Sequence, residues 1–556
     1  MQVENSCGIS CFRACHTTHK NEASGGCVHA QVNISRRKCL ISGILTKCFD
    51  KQTFWTGGDI PMKKVVIVGG GISGMAAGIC LQNSGFETEI YEKNPVAGGE
   101  LTGWKRDGVY IDNCIDWLMC SKEGSTMHDL WCEIGMLTDD LKMKEKNKFF
   151  TYKGHGGEIT FWRDKERTKK EMLALSPEDK DVIEKFFENV IRAESMIVPT
   201  DKPMDKMGPR DFMKLGDFAK NVPAAQKAYK GVSVKDLSDS FKSPVLQSAV
   251  KLMHPENTQA YSFIMSYATI TSGSGDIPEG GSLAAATRIA NRYKEAGGKL
   301  HLNSPVKNVK IDGKLASGIV LEDGTEVKAD YVICATDANH TFTHLLPASY
   351  MPKKLKKCFD TKEHFSTFSK FHAAFLVDGK TSIPADTSFW ESKGIKVWDR
   401  EIKDVGVICY DYDETITPEG KTVLQMKFMQ YNDEVDKWFE LAKDREKYEA
   451  KKKELANAMI ALIEEQYPET AGKITVLDTW TPVTYARLCN AYRGAYMAFV
   501  ADKDTKTVTT PGVIKQLKNV FLAGQWLMGS GGLPPATAQG KFAAWRICKK
   551  EGVECK

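Results

Sequence analysis

Apolar residues follow a strand–helix–strand pattern just after residue 61. Val65–Val68 is a short β-branched run of the kind found in buried parallel strands. Apolar residues then recur at helical spacing from Ile72 to about Asn83, and Thr88–Tyr91 is a second strand-like run. This order within about 30 residues predicts a βαβ unit.

A second apolar pattern in the middle of the chain predicts a helix followed by several strands. The helix spans Ser282–Ala296, between glycine pairs that suit its two ends. The predicted strands are Val306–Ile311, Ala316–Glu322, Thr325–Val327 and the buried Val332–Ala335. We interpret this segment as a strand-rich insertion that returns to the parallel sheet, and a separate β domain without a cofactor is the alternative.

The remaining regions fit neither sheet. Residues 125–270 are predicted to be mainly helical, and residues 340–500 mix strands with one highly charged helix over roughly Glu434–Gln466. A solvated face explains the charges of that helix, and a membrane or partner contact is the alternative.

Charge and cysteine distribution narrow the class of protein. A net charge of +5 over 556 residues is too dilute for a nucleic-acid footprint, and no apolar run has the length of a membrane span. Six of the 16 cysteines fall in residues 1–61, where no zinc spacing or complete export signal is present. We predict that residues 1–61 are a disordered or non-native extension, and that the thiols after residue 61 belong to a reducing, cytoplasmic compartment.

The first βα turn carries a dinucleotide-binding pattern. Gly69, Gly71 and Gly74 form G-x-G-x-x-G, in which the glycines allow a tight turn, a close backbone approach to a pyrophosphate, and close helix packing. Glu92 ends the second strand, where its carboxylate would accept hydrogen bonds from a ribose and disfavour a 2′-phosphate. A bare βαβ unit without a ligand is the alternative interpretation.

Two further glycine segments indicate a flavin. Gly98-Gly99 follows Glu92 closely, and residues 519–540 read NVFLAGQWLMGSGGLPPATAQG. The second segment predicts a strand at Val520–Ala523, a loop, and a helix that begins near Pro534. A dinucleotide fold that binds only NAD does not need this distant segment, whereas the isoalloxazine ring of a flavin does.

Together these motifs resemble the FAD-dependent phytoene desaturase family of the amine oxidase-like flavoproteins, from about Met62 to Gly552. The resemblance implies FAD as cofactor and an α/β fold, with a Rossmann-like FAD-binding domain (a parallel sheet, divided in sequence) and an α+β substrate or lid domain. Glu100 and Gln525 depart from the family pattern, which usually has Arg and an acidic residue there. The cofactor-binding residues that the resemblance implies are Gly69, Gly71, Ile72, Ser73, Gly74, Glu92, Lys93, Gly98, Gly99, Val306, Ala335, Gly524, Gln525, Gly532 and Leu533.

The resemblance also predicts how the chain after residue 61 is divided into segments. FAD-binding parts are expected at 62–124, 271–340 and 506–556, a helical substrate or lid region at 125–270, and a substrate-binding region at 341–505. Six aromatic residues are candidates to line the substrate site, with simple core packing as the alternative: Trp117, Tyr267, Trp480, Tyr485, Tyr492 and Trp526.

The leading hypothesis is hydride transfer between FAD and a carbon–carbon bond of an apolar polyene or lipid-like substrate, by a desaturase or saturase. The alternatives are a flavin amine oxidase and a non-redox isomerase or lipid or prenyl-group carrier. The sequence nominates no general acid or base, no metal and no nucleic-acid partner, and leaves open the electron acceptor, the reaction direction, the oligomeric state and peripheral contact with a membrane.

Overall fold

The computed structural model describes residues 62–556, so the prediction for residues 1–61 lies outside the described part of the chain. The strands are β1 (Lys64–Val68), β2 (Glu87–Tyr91), β3 (Gly103–Arg106), β4 (Val109–Asp112), β5 (Met143–Lys144), β6 (Lys148–Gly154), β7 (Gly157–Trp162), β8 (Ile277–Pro278), β9 (Lys299–His301), β10 (Val306–Asp312), β11 (Leu315–Leu321), β12 (Glu326–Lys328), β13 (Tyr331–Cys334), β14 (Phe365–Ser366), β15 (Ser369–Asp378), β16 (Asp386–Val397), β17 (Arg400–Cys409), β18 (Lys421–Gln430), β19 (Ile474–Trp480), β20 (Val500–Ala501) and β21 (Val520–Leu522).

The α-helices of residues 62–556 are connected to these strands by short 3₁₀ turns and loops. They are α1 (Ile72–Asn83), α2 (Thr126–Glu133), α3 (Lys165–Leu175), α4 (Lys180–Ala193), α5 (Pro209–Met213), α6 (Asp217–Ala228), α7 (Val234–Asp239), α8 (Pro244–Lys251), α9 (Tyr261–Thr271), α10 (Gly281–Glu295), α11 (Ala338–His340), α12 (Lys353–Asp360), α13 (Asn432–Leu441), α14 (Arg445–Gln466), α15 (Pro482–Cys489) and α16 (Leu533–Glu551). None of them is long and apolar enough to cross a membrane.

A five-stranded parallel sheet forms one half of the structure, in the order β21–β13–β1–β2–β9. Val65 and Ile67 of β1 pack against α1, α10 and α16, whereas Val66 and Val68 face the antiparallel sheet β10–β11–β12. Because successive side chains of a strand point to opposite faces, a sheet covered on both sides needs the continuous apolar run seen in β1. The predicted Rossmann-like α/β fold is confirmed.

A seven-stranded sheet forms the other half, in the order β19–β15–β18–β17–β16–β6–β7. Helices α13 and α14 contribute to the core on one side of it, and α4, α8 and α9 share a second core with β6 and β7. Strand β6 pairs in parallel with β16, so residues 125–270 contribute strands as well as helices to this half. The segment boundaries proposed from sequence remain a prediction.

Local predictions were mostly confirmed, with ends displaced by a residue at α10, β10, β11, β12 and β13. The single charged helix over Glu434–Gln466 was wrong, because α13 ends at Leu441 and α14 begins at Arg445. The Asp444 carboxylate accepts a hydrogen bond from the Lys447 N–H at 3.2 Å and caps the second helix. The break between the two helices is difficult to predict from sequence, because the charged residues on both sides of Asp444 all favour a helix.

Candidate active site

The glycines of the first βα turn bring three backbone segments together. Gly69 has φ of +104°, and a Cβ there would lie 2.7 Å from the Ala335 carbonyl oxygen. A Cβ on Gly74 would lie 2.1 Å from the Gly69 carbonyl oxygen, so α1 packs directly on the turn. Gly71 forms a parallel bridge with Gly98. Glycine is therefore required for packing at Gly69, Gly74 and Gly98, where an added Cβ would lie 2.3 Å from the Leu101 carbonyl oxygen.

The N-terminus of α1 is open to a ligand. Its N-cap, Gly71, has no side chain to accept the free N–H groups, and the first turn contains no acidic residue. The Ser73 hydroxyl is buried and has no hydrogen-bond partner among residues 62–556. A Cβ added at Gly71 would meet no atom closer than 3.8 Å. These features fit a pyrophosphate held by the positive end of the helix dipole.

Glu92 and Lys93 border the same opening at the end of β2. The Glu92 carboxylate accepts hydrogen bonds from the Gly70 N–H at 2.8 Å and from the Asn94 side chain at 2.8 Å. The Lys93 ammonium donates to the Arg487 carbonyl and to the Asn490 side-chain oxygen, both at 2.7 Å. Glu92 is thus held in a fixed orientation, whereas Lys93 joins the turn to the substrate half.

The C-terminal loop is organised around Gln525. Its side-chain oxygen accepts a hydrogen bond from the Gly532 N–H at 3.0 Å, and its Nε2 donates to Glu100 at 3.0 Å. Gly532 is the N-cap of α16, whose Gly540 packs so closely on α1 that a Cβ would lie 2.1 Å from the Ser73 carbonyl oxygen. The close packing of α16 on α1 consequently places the N-termini of both helices beside the same cavity.

Glu100 and Asp337 are two buried carboxyl groups beside this loop. Burial, and then the nearby Asp337 charge, raises the pKa of Glu100 to about 8. Burial raises the pKa of Asp337 to about 6, although its carboxylate accepts hydrogen bonds from the Tyr492 and His340 N–H groups. Glu100 is therefore mainly neutral at pH 7 and adds little negative charge near a pyrophosphate.

Most of these groups line a single cavity of about 1290 Å³, and the exceptions are Gly70, Gly74, Arg487 and Gly540. The predicted cofactor residues on its wall are Gly69, Gly71, Ile72, Ser73, Glu92, Lys93, Gly98, Gly99, Val306, Ala335, Gly524, Gln525, Gly532 and Leu533. Gly74 lies behind the wall, where it permits the contact between α1 and the turn.

The model of the flavin containing amine oxidoreductase family matches residues 72–548, which include helix α1, most of helix α16 and most of the residues that line the cavity. The chain belongs to this family. It is an FAD-dependent oxidoreductase related to phytoene desaturases.

Three relatives of the chain are named as desaturases or oxygenases of carotenoid-type compounds. The chain is 23% identical to 4,4'-diapophytoene desaturase (4,4'-diapolycopene-forming) of Methylomonas sp., over 89% of this chain and 97% of that protein. It is 21% identical to 4,4'-diaponeurosporene oxygenase of Staphylococcus aureus strain MW2, over 88% of this chain and 99% of that protein. A phytoene desaturase (lycopene-forming) of Paracoccus is 24% identical, over 51% of this chain and 56% of the relative.

Solved structures share the family fold at low sequence identity. Putrescine oxidase bound to putrescine has a TM-score of 0.54 at 17% identity, over 88% of this chain and 99% of that one. An oxidoreductase from Methanosarcina mazei has a TM-score of 0.51 at 16% identity, over 87% of this chain and 100% of that one. These similarities establish the fold alone.

FAD fits the cavity of this family member on the evidence of its own residues. The uncapped α1 and the unpartnered Ser73 hydroxyl suit the pyrophosphate, and Glu92 suits the adenosine ribose. The N-terminus of α16, with Gly532 and Leu533, would lie near the isoalloxazine ring. These individual residue contacts with FAD remain a prediction.

Four of the six aromatic candidates line the cavity: Trp117, Tyr485, Tyr492 and Trp526. Tyr267 does not, because its ring packs among buried phenylalanines and its hydroxyl donates to the Trp162 carbonyl at 2.8 Å. Trp480 also lies behind the wall, stacked on His372 with 4.6 Å between ring centroids. Aromatic spacing in the sequence does not distinguish a wall from the core behind it.

Sequence reasoning missed a charged cluster on the substrate side of the cavity. Lys370 and Lys427 line the wall beside Asp116 and the neutral His372, whose pKa is lowered by burial and then by the two lysines. The available signal was a lysine and a histidine at alternating positions of the apolar strand β15, which places both on one face. No group of three His, Cys, Asp or Glu side chains in residues 62–556 is arranged to hold a metal.

Proposed function

We propose that this FAD-dependent oxidoreductase acts on a carbon–carbon bond of a long apolar substrate, of the polyene or lipid type. The observation that carries the proposal is the continuity of the cofactor region with a second, largely apolar part of the same cavity. Its wall includes Met196, Leu252, Met253, Met265 and Phe389. Methionine side chains adapt to an irregular ligand, which suits a long flexible or conjugated chain.

The names of the carotenoid desaturase relatives agree with this substrate class. When bound, FAD supplies the hydride acceptor or donor at such a bond. The residues of the chain hold the substrate against the cofactor, and the apolar wall excludes water from the reacting carbon. Because Glu100 is mainly neutral at pH 7, it does not add a second negative charge to that of Asp337 beside the C-terminal loop.

Amine oxidation is less well supported by the electrostatics of the cavity. The substrate side presents two lysines and one carboxylate, an arrangement that repels a protonated amine. An anaerobic mixing experiment distinguishes redox chemistry at a carbon–carbon bond from amine oxidation and from non-redox isomerisation. We expect phytoene, delivered in detergent micelles, to bleach the visible absorbance of the oxidised flavin, and putrescine to leave it unchanged.

Each other result of that experiment has a defined meaning. Bleaching by putrescine without oxygen, followed by hydrogen peroxide release once oxygen is admitted to reoxidise the flavin, would identify an amine oxidase. Conversion of a polyene without any change in flavin absorbance would identify a non-redox isomerase. Failure of phytoene and of shorter, more saturated and more unsaturated polyenes to exchange electrons with either flavin redox state would overturn the proposal.

Peripheral contact with a membrane at the cavity mouth is the second part of the proposal. The mouth segment, residues 200–220, exposes Met204, Phe212 and Met213 at 41%, 45% and 74%. Its charges nearly balance, because Lys202, Lys206, Arg210, Lys214 and Lys220 alternate with Asp201, Asp205, Asp211 and Asp217. Met204 and Phe218 of this segment line the cavity as well, so an apolar substrate could pass between bilayer and site without crossing water.

Vesicle sedimentation tests the mouth segment. We expect the protein to bind phosphatidylcholine vesicles through the exposed apolar side chains of this segment, and phosphatidylserine to add little, because the basic and acidic residues nearly balance. The double substitution Phe212→Ser and Met213→Ser should weaken binding by about tenfold. Leu315→Ser is the matched control, since Leu315 is exposed at 50% on the distant strand β11. Equal loss in the control would exclude the mouth segment as the contact.

A further inference from the structure

The charged cluster on the substrate side arises from the register of two adjacent strands. In the pairing of β15 with β18, His372 lies opposite Lys427, and Lys370 lies opposite Met429. Lys370 and Lys427 are therefore diagonal neighbours on one face of the sheet. This face also presents His372 and forms part of the cavity wall.

The two lysines have different partners. Lys427 forms an ion pair with Asp116. Lys370 forms no ion pair or hydrogen bond within residues 62–556, and its ammonium lies 3.8 Å from the centroid of the Tyr496 ring. An aromatic face attracts a cation but does not neutralise its charge.

The charges around Lys370 leave one positive charge without a counter-charge. Asp116 neutralises Lys427, the nearby Lys146 is paired with Asp386 at 2.5 Å, and His372 is neutral. Asp112 also lines the cavity, but burial raises the pKa of its carboxyl group, which accepts hydrogen bonds from the Tyr110 hydroxyl and the Cys114 N–H and not from Lys370. Burial lowers the pKa of Lys370, while the Asp116 charge opposes this effect. A surplus charge in an enclosed site is costly unless a ligand supplies the opposite charge.

We propose that Lys370 and Lys427 form an anion subsite that binds the ionised carboxylate of a long-chain acid, whose apolar tail lies along the methionine-rich wall. The inference rests on the proposed function, and it adds amphipathic long-chain acids to the apolar substrates that the same cavity accepts. A carboxylate carries the single negative charge that the surplus requires, and its two oxygens can each accept a hydrogen bond from one ammonium. A diphosphate would exceed the surplus, and a hydrocarbon would leave Lys370 uncompensated.

Binding to the FAD-loaded protein tests the subsite without requiring turnover. The probes are oleate and oleyl alcohol, which share a chain and differ in the charged head, both used below their aggregation concentrations. We expect oleate to bind about tenfold more tightly than the alcohol, as measured by quenching of tryptophan fluorescence. In Lys370→Met the affinity for oleate should fall to about that for the alcohol, whereas the affinity for the alcohol should change less than about twofold.

Two further variants control for structural damage. Lys403→Met replaces an exposed lysine of the neighbouring strand β17 and should keep the full preference for oleate. The double variant Lys427→Met with Asp116→Asn removes a pair without changing the net charge, so it should retain part of the preference through Lys370. Flavin absorbance and the thermal midpoint report on the fold of each variant.

The outcomes distinguish the subsite from the wider function. Equal affinity for acid and alcohol in the wild-type protein would overturn the anion subsite and leave the apolar cavity supported. Binding of neither probe would overturn both proposals. A Lys370→Met variant that keeps the preference for oleate but shifts the flavin absorbance would assign Lys370 to the cofactor and overturn the subsite.

Discussion

Replacing Glu100 by glutamine should stabilise the FAD-free protein in a pH-dependent way. Glu100 is enclosed beside Gln525, and its pKa of about 8 lies well above the ordinary value of 4.5. A carboxyl group with a raised pKa in the folded state holds a proton that the unfolded chain has already released. Stability is therefore lost as the pH rises from about 4.5 to about 8, and the loss is complete above that range.

The size of the effect follows from the shift. One pKa unit corresponds to about 1.4 kcal/mol, so the ionisation of Glu100 in the unfolded chain costs about 3 kcal/mol of stability at pH 7. Glutamine keeps an oxygen that accepts the hydrogen bond from Gln525 and has no proton to lose. The variant should exceed the wild-type protein by about 3 kcal/mol at pH 7 and by almost nothing near pH 4.5.

Urea unfolding monitored by tryptophan fluorescence, at intervals from about pH 5 to about pH 9, measures this difference. Asp337, with a pKa of about 6, contributes its own slope at the acidic end, so the comparison between the two proteins isolates Glu100. Glu419→Gln is the matched control, because Glu419 is exposed and lies far from the cavity wall. A stability difference that is the same at pH 5 and pH 8 would refute the reasoning.

Three other substitutions give separate predictions. Glu92→Gln should weaken FAD binding by about tenfold, measured by titration of the FAD-free protein, because an amide is a poorer acceptor for ribose hydroxyls. Gly540→Ala should cost about 1–3 kcal/mol in urea unfolding, since its Cβ would lie 2.1 Å from the Ser73 carbonyl oxygen. Lys427→Met should cost about 1–3 kcal/mol by removing the ion-pair partner of Asp116, because the Lys370 charge beside it compensates only in part. Adding Asp116→Asn should restore most of that loss, and equal stability of the single and double variants would contradict this.

Local sequence was sufficient to predict those helices, strands and turns whose structure depends on neighbouring residues in the chain. Gly69 and Gly74 are fixed by contacts within one turn, and α16 begins beside Pro534 as expected. The apolar run of β1 identified a strand covered on both faces. Each of these features depends on periodicity, or on a backbone conformation that few residues adopt.

The charged cluster on the substrate side could not be predicted, because its residues meet only through the seven-stranded sheet. Lys370 and Lys427 lie on different strands, and only the register of β15 with β18 places them together. Tyr267 and Trp480 are aromatic like Tyr485, yet they lie behind the wall rather than on it. The aromatic character of these residues predicts that they are buried, but it does not predict whether they face the cavity or the protein core.

The order of strands in the parallel sheet also constrains how the protein is made. Strands β1 and β2 come from the start of the described chain, β9 and β13 from its middle, and β21 from near its end. During synthesis β1 and β2 must wait for β13 and β9, and α1 must wait for α16, and long-range pairing of this kind is slow. The complete flavin site is therefore expected to form late in synthesis, and a chain that stops before residue 520 should lack the part of the site that α16 contributes.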